Sequence, residues 1–132
     1  MRLLRQPPGS RQCGQTCVAM LAGVPLEWAI TAVGTRGATS YGDLRDGLDE
    51  LGFVGGGLIL LRGELPRGRG IVCIRERGSD WGGHWVALHR GQVFDPDPWL
   101  GHERPERVRD FARRIALRRQ HFTSFMPVQR AA

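Results

Sequence analysis

Cys13 and Cys17 stand four residues apart in "RQCGQTCVAML" (residues 11–21), at the mouth of an apolar run, with Gln12 ahead of the first and Gly14 behind it. A thiol becomes a useful nucleophile when a helix N-terminus and a neighbouring imidazolium favour its thiolate. Cys13 falls where a helix should begin, and Gly14 leaves its flank open. Cys17 lies one turn further in and should face the core. Two plainer readings compete: a pair of small buried residues, or zinc ligands joined by His84. The C-x₃-C spacing with no second pair argues against zinc, and no metal or cofactor is expected.

Nucleophilic chemistry at Cys13 needs a base, an orienting acid and an oxyanion donor. His84 is the histidine with a setting, because it follows Gly82-Gly83 and opens the apolar stretch "HWVALHR". His89 should point to the opposite face, and His102 and His121 toward solvent. Asp95, in "VFDPDP", ends the next β-rich run, from which a carboxylate can reach the imidazole and hold its catalytic tautomer. Asp97 is second in line, and a plain Asp-Pro turn is the alternative. Gln6, Gln12 and Gln15 are near enough in sequence to donate to an oxyanion, together with the Cys13 amide. Trp81, Trp85 and Trp99 flank these residues, and Trp81 and Trp85 are the candidates for walling a substrate groove.

The elements that must position these groups are short. An irregular arm over 1–12 is broken by Pro7, Pro8 and Gly9, and a helix is expected from about Gly14 to Ala22. Pro25 suits the first turn of a second helix ending at Gly34. A third, in "TSYGDLRDGLDELG", is capped by Thr39 or Ser40, carries Leu44, Leu48 and Leu51 inward, and closes at Gly52. After Gly55 the texture becomes β-rich: 57–61, 70–76, 83–90 and 92–96, with a hairpin turning at Arg90-Gly91. Residues 105–119 read as an amphipathic helix with Val108, Phe111, Ala112 and Ile115 on one face. Arg107, Arg113, Arg114 and Arg118 should form its solvated side, or else dock an acidic partner. Residues 122–128 read as a closing strand. Helices first and strands after give an α+β domain, N-terminal helices packed on a small antiparallel sheet, as a single unit over 1–132.

Taken in order, "QCGQTCVAML", "GGHWVAL" and "VFDP" resemble papain-like cysteine peptidases, closest to the domains that process double-glycine leaders of bacteriocins and to their free-standing relatives. The resemblance runs from about residue 6 to 98. It implies a papain-like fold with Cys13 as nucleophile, His84 as base and Asp95 as its orienting acid. An upstream glutamine would fill the oxyanion hole. That glutamine usually precedes the cysteine by six residues, and Gln6 precedes Cys13 by seven, so Gln6 ranks first and Gln12 second. The implied activity is a cysteine-dependent acyl hydrolase, a peptidase of bacterial or phage type acting on a peptide or protein, with a Gly-Gly end favoured. A deamidase or transglutaminase-type transfer uses the same groups. A non-catalytic module on the same fold, binding an acidic partner through arginines, is the alternative of a different class.

The totals agree with such a domain. A chain of 132 residues buries roughly two thirds of its unfolded surface. All basic residues are arginine, giving a net charge of +6, but acids are interleaved and no nucleic-acid-binding signature appears. No apolar stretch reaches the roughly 18 residues of a membrane span, and "MRLLRQPPG" has no signal-peptide core. Three cysteines do not make a disulfide framework. A cytoplasmic protein with reduced thiols, and with neither membrane nor nucleic acid as partner, is expected.

Overall fold

The structure, a computed structural model, describes residues 1–79, 83–99 and 103–132. Trp81 and His102 lie outside the described residues.

Helix α1 (Cys13–Ala22) carries Cys17, Val18 and Leu21 in complete burial, and Gly23 closes it by donating its N–H to Ala19 O at 2.9 Å. Helix α2 (Leu26–Val33) follows Pro25 and ends at Gly34. Helix α3 (Tyr41–Glu50) opens with a capping box in which the Ser40 hydroxyl accepts from Asp43 N, and Asp43 accepts from Ser40 N. The cap is therefore Ser40, and Thr39 is left for another task.

Of the strand expected over 57–61 only β2 (Ile59–Leu60) forms, and β1 (Phe53–Gly55) precedes it where no strand is expected. Both pair antiparallel with β7 (Gln120–Arg130). Between them lie β3 (Gly70–Glu76), β4 (His84–His89), β5 (Gln92–Phe94) and β6 (Glu106–Arg107), giving the order β1-β7-β3-β4-β5-β6. The sheet is antiparallel and larger than the small one expected. β7, read as a closing strand, lies inside the sheet, with β3 on one side and β1 and β2 on the other. The β4–β5 hairpin turns at Arg90-Gly91, both in the left-handed region (φ 51° and 76°), the geometry that matches the twist of the flanking strands.

Helix α4 (Val108–Ala116) starts later than expected because Glu106 and Arg107 are taken up in pairing with β5. Its Phe111 and Ile115 pack with Val72, Val86, Leu88, Phe122 and Phe125. The opposite face of the sheet, through Ile71, Cys73, Trp85, Ala87 and Met126, packs on α1, α2 and α3. Helices on both faces explain why β4 is apolar at every central position rather than alternating. One expectation for α4 is corrected here. Arg114 is not part of a solvated face: it folds back onto Glu106 (Nη2–Oε1 2.6 Å, Nε–Oε1 2.9 Å) and over the Phe111 ring. Its guanidinium fork matches a carboxylate, and the low exposure of both groups follows from that pairing. Among the described residues, no single helix is long and apolar enough to cross a membrane.

Candidate active site

The head of α1 meets the start of β4 at one side of the sheet. His84 Nε2 donates to Asp95 Oδ1 at 2.7 Å, and the same ring shares the wall of one cleft with Cys13. With Nε2 held by the carboxylate, Nδ1 is the ring nitrogen left for the sulfur. Burial alone would lower the His84 pKa. The hydrogen bonds and negative charges of Asp95 and Cys13 outweigh it and raise the value from 6.5 to about 10. Asp95 is 7% exposed. Its burial favours the neutral acid, but the bond and charge of His84, helped by the Asp97 amide at 3.0 Å, hold its pKa below the ordinary 3.8.

Cys13 is the first residue of α1, whose first turn holds no acidic side chain. Its own N–H is among the helix-start donors that have no intrahelical acceptor. Cys17, one turn deeper, is enclosed, and burial raises its thiol pKa well above the ordinary value. Cys13 is half-buried, Cys73 is buried, and all three are free thiols.

The arm over 1–12 is irregular in shape but tied down. Gln6 N donates to Pro96 O at 2.9 Å, and Arg5 Nη1 to Asp97 O at 2.7 Å, so the arm grips the turn that carries Asp95. The Gln6 side chain then reaches the cleft beside Cys13. One N–H of its amide donates to Ser10 O at 3.0 Å, which fixes the amide plane and leaves a second N–H. Gln12 sits at the N-cap position, largely buried, and does not line the cleft. Gln15 is fully buried and spends its amide on Thr35 O and Gly37 O, at 2.8 Å each. It braces a loop and does not face the cleft.

The cleft holds about 640 Å³ and is lined by Gln6, Cys13 and His84 with their sequence neighbours, together with residues from two other segments, 38–39 and 73–75. Trp85 contributes one wall while its ring packs edge-on against Tyr41, centroids 4.5 Å apart. Trp81 lies outside the described residues, and Trp99 is 75% exposed. Asp97, second in line for the imidazole, instead accepts from Trp99 N at 2.7 Å. His89 lies 6.4 Å from the Phe94 ring. His121 departs from its expected place in solvent: it is half-buried with Nδ1 enclosed, because β7 runs through the sheet. Among the described residues no group of three or more His, Cys, Asp or Glu side chains is arranged to hold a metal ion.

Sequence reasoning missed Ser10, Arg11, Ala38, Thr39, Cys73 and Arg75 as lining residues. Thr39 had a signal, since Ser40 with Asp43 three residues on already makes a capping box and releases the preceding hydroxyl. Thr39 Oγ1 is buried with no protein partner and borders the cleft.

Fold and site define an α+β protein with a thiol, an imidazole and a carboxylate gathered at the head of its first helix. The chain matches no family model and no curated protein.

Proposed function

We propose that this chain is a papain-like cysteine peptidase. The observation that carries the reading is the placing of Cys13, at a helix start, on the same cleft as His84, whose ring is held by the buried Asp95. The order of the elements supports it as well: the thiol comes from a helix and its partners from the sheet packed beneath it. In the proposed cycle the Cys13 thiolate attacks a peptide carbonyl, forming a C–S bond. The developing oxyanion is met by the Cys13 N–H and the second N–H of Gln6. His84, as imidazolium, gives its proton to the leaving amine as the C–N bond breaks. Water then attacks the acyl-enzyme, His84 takes its proton, and the carboxylic acid leaves as the thiolate–imidazolium pair returns. Asp95 fixes the ring and stabilises its charge throughout.

The test is a digest of a complex peptide mixture, with new termini read by mass spectrometry for the wild-type chain and for Cys13→Ala. Termini that accumulate with the wild type and vanish with Cys13→Ala are expected. Cleavage that persists in Cys13→Ala, or no new terminus with either protein, contradicts the reading.

A further inference from the structure

The chain carries opposite charge on the helices of its two faces. Over residues 26–51, which include α2 and α3, five acids stand against two arginines. Over residues 104–119, around α4, seven arginines stand against two acids. α2 and α3 pack on one face of the sheet and α4 on the other. Each side also presents a large apolar residue. Trp28 on α2 is 63% exposed and lines a groove of about 500 Å³ with Thr31, Ala32, Glu50 and Leu51. Glu50 is exposed there, and Asp46 and Asp49 are exposed on the same helix. Leu117, at the C-terminal cap of α4, is 87% exposed. Arg113, four residues before it, and Arg119, two after, are exposed as well. Among the described residues, none of Asp46, Asp49, Glu50, Arg113 and Arg119 forms an ion pair.

Tryptophan and arginine are the residue types that most often dominate the energy of a protein contact, and fixed opposite charges orient the encounter. The groove offers apolar walls edged by carboxylates. The end of α4 offers an apolar knob edged by guanidinium groups. One surface is the chemical complement of the other, and a single chain holds both. We infer that a second copy of this chain docks the end of its α4, Leu117 and Arg113 foremost, into the groove beside Trp28 and Glu50. The inference is independent of the peptidase reading. Groove and knob lie on opposite faces of the sheet, so one pair of copies cannot make the contact twice. The contact is head-to-tail, and a dimer keeps one groove and one knob free for further copies.

Sedimentation velocity tests this with the wild type, Trp28→Ala and Arg113→Glu, each alone and the two variants mixed. Both substituted side chains are exposed, and urea denaturation checks that each variant keeps the wild-type stability. The wild type should grow past the dimer as its concentration rises. That growth should weaken several-fold in about 1 M salt, where the Debye length is about 3 Å. Each variant alone should stay monomeric, the first lacking a competent groove and the second a competent knob. Mixed in equal amounts they should form a dimer and nothing larger, because each pair then holds one intact groove and one intact knob. A wild type that is monomeric at every concentration overturns the inference, and the groove then has another occupant. A wild-type dimer that grows no further overturns it too, since a symmetric contact would then be at work. So do association that salt leaves unchanged, variants that associate like the wild type, and a mixture that stays monomeric.

Discussion

Burial works against a charge on His84, yet Asp95 and Cys13 together hold its pKa at about 10 against an ordinary 6.5. A folded-state pKa above the unfolded one stabilises the fold fully below pH 6.5, and that contribution is lost as the pH rises toward 10. Asp95 works in the opposite sense. Its lowered pKa stabilises the fold above the ordinary carboxylate value and ceases to do so as the pH falls through the folded-state value. The wild-type chain should therefore lose on the order of a few kcal/mol of unfolding free energy between pH 6.5 and 10. In Asp95→Asn, whose His84 lacks the first of its stabilising partners, that loss should shrink by more than half. Urea denaturation at several pH values measures both, and parallel curves for the two proteins would contradict the assignment. The same raised pKa keeps His84 as an imidazolium through neutral pH, the form the proposed cycle needs for the leaving amine.

Helix α1 can bring Cys13 to His84 because its second residue has no side chain. A Cβ at Gly14 would strike Thr39 Oγ1 and lie 2.9 Å from Leu44 Cδ2 and 3.1 Å from Trp85 Cδ1. Gly14→Ala should accordingly cost about 1–3 kcal/mol, the usual range for overpacking a well-filled interior, and should slow Cys13 alkylation as the helix head shifts. A change below about 0.5 kcal/mol in chemical denaturation would mean that the contact is loose. The elements around this contact were largely legible. The glycine stops, the Ser40 box and the Arg90-Gly91 turn are local signals, and α1, α2, α3, β3, β4 and β5 fall within a residue or two of where these signals place them. What stayed hidden depends on partners distant in the chain. Phe53–Gly55 becomes a strand only because β7 runs beside it, and Glu106–Arg107 is drawn out of α4 by β5. Nothing in the local pattern of 122–128 distinguishes a closing strand from an internal one. Among site residues, Cys13, His84 and Asp95 were legible because each sits at an element boundary with its own punctuation. Thr39, Arg75 and the grip of Arg5 and Gln6 on the 95–97 turn follow from packing across the fold.

Across the whole molecule, the sheet is the frame that joins two halves of the chain. Its one face receives α1, α2 and α3, and its other face α4. The N-terminal arm then crosses to the Asp95 turn, so that Gln6, Cys13, His84 and Asp95, spread over nearly ninety positions of sequence, come together. Burial divides the three thiols: Cys17 is enclosed by the core, Cys73 borders the cleft but is buried, and Cys13 is the half-buried thiol at the cleft. The most direct test of this convergence is alkylation by iodoacetamide near pH 6, with the modified cysteine located by mass spectrometry. Fast labelling confined to Cys13, and abolished in His84→Ala, is the result expected of a thiol activated by that imidazole. Slow labelling spread over Cys13, Cys17 and Cys73, or labelling of Cys13 that His84→Ala leaves unchanged, would contradict it.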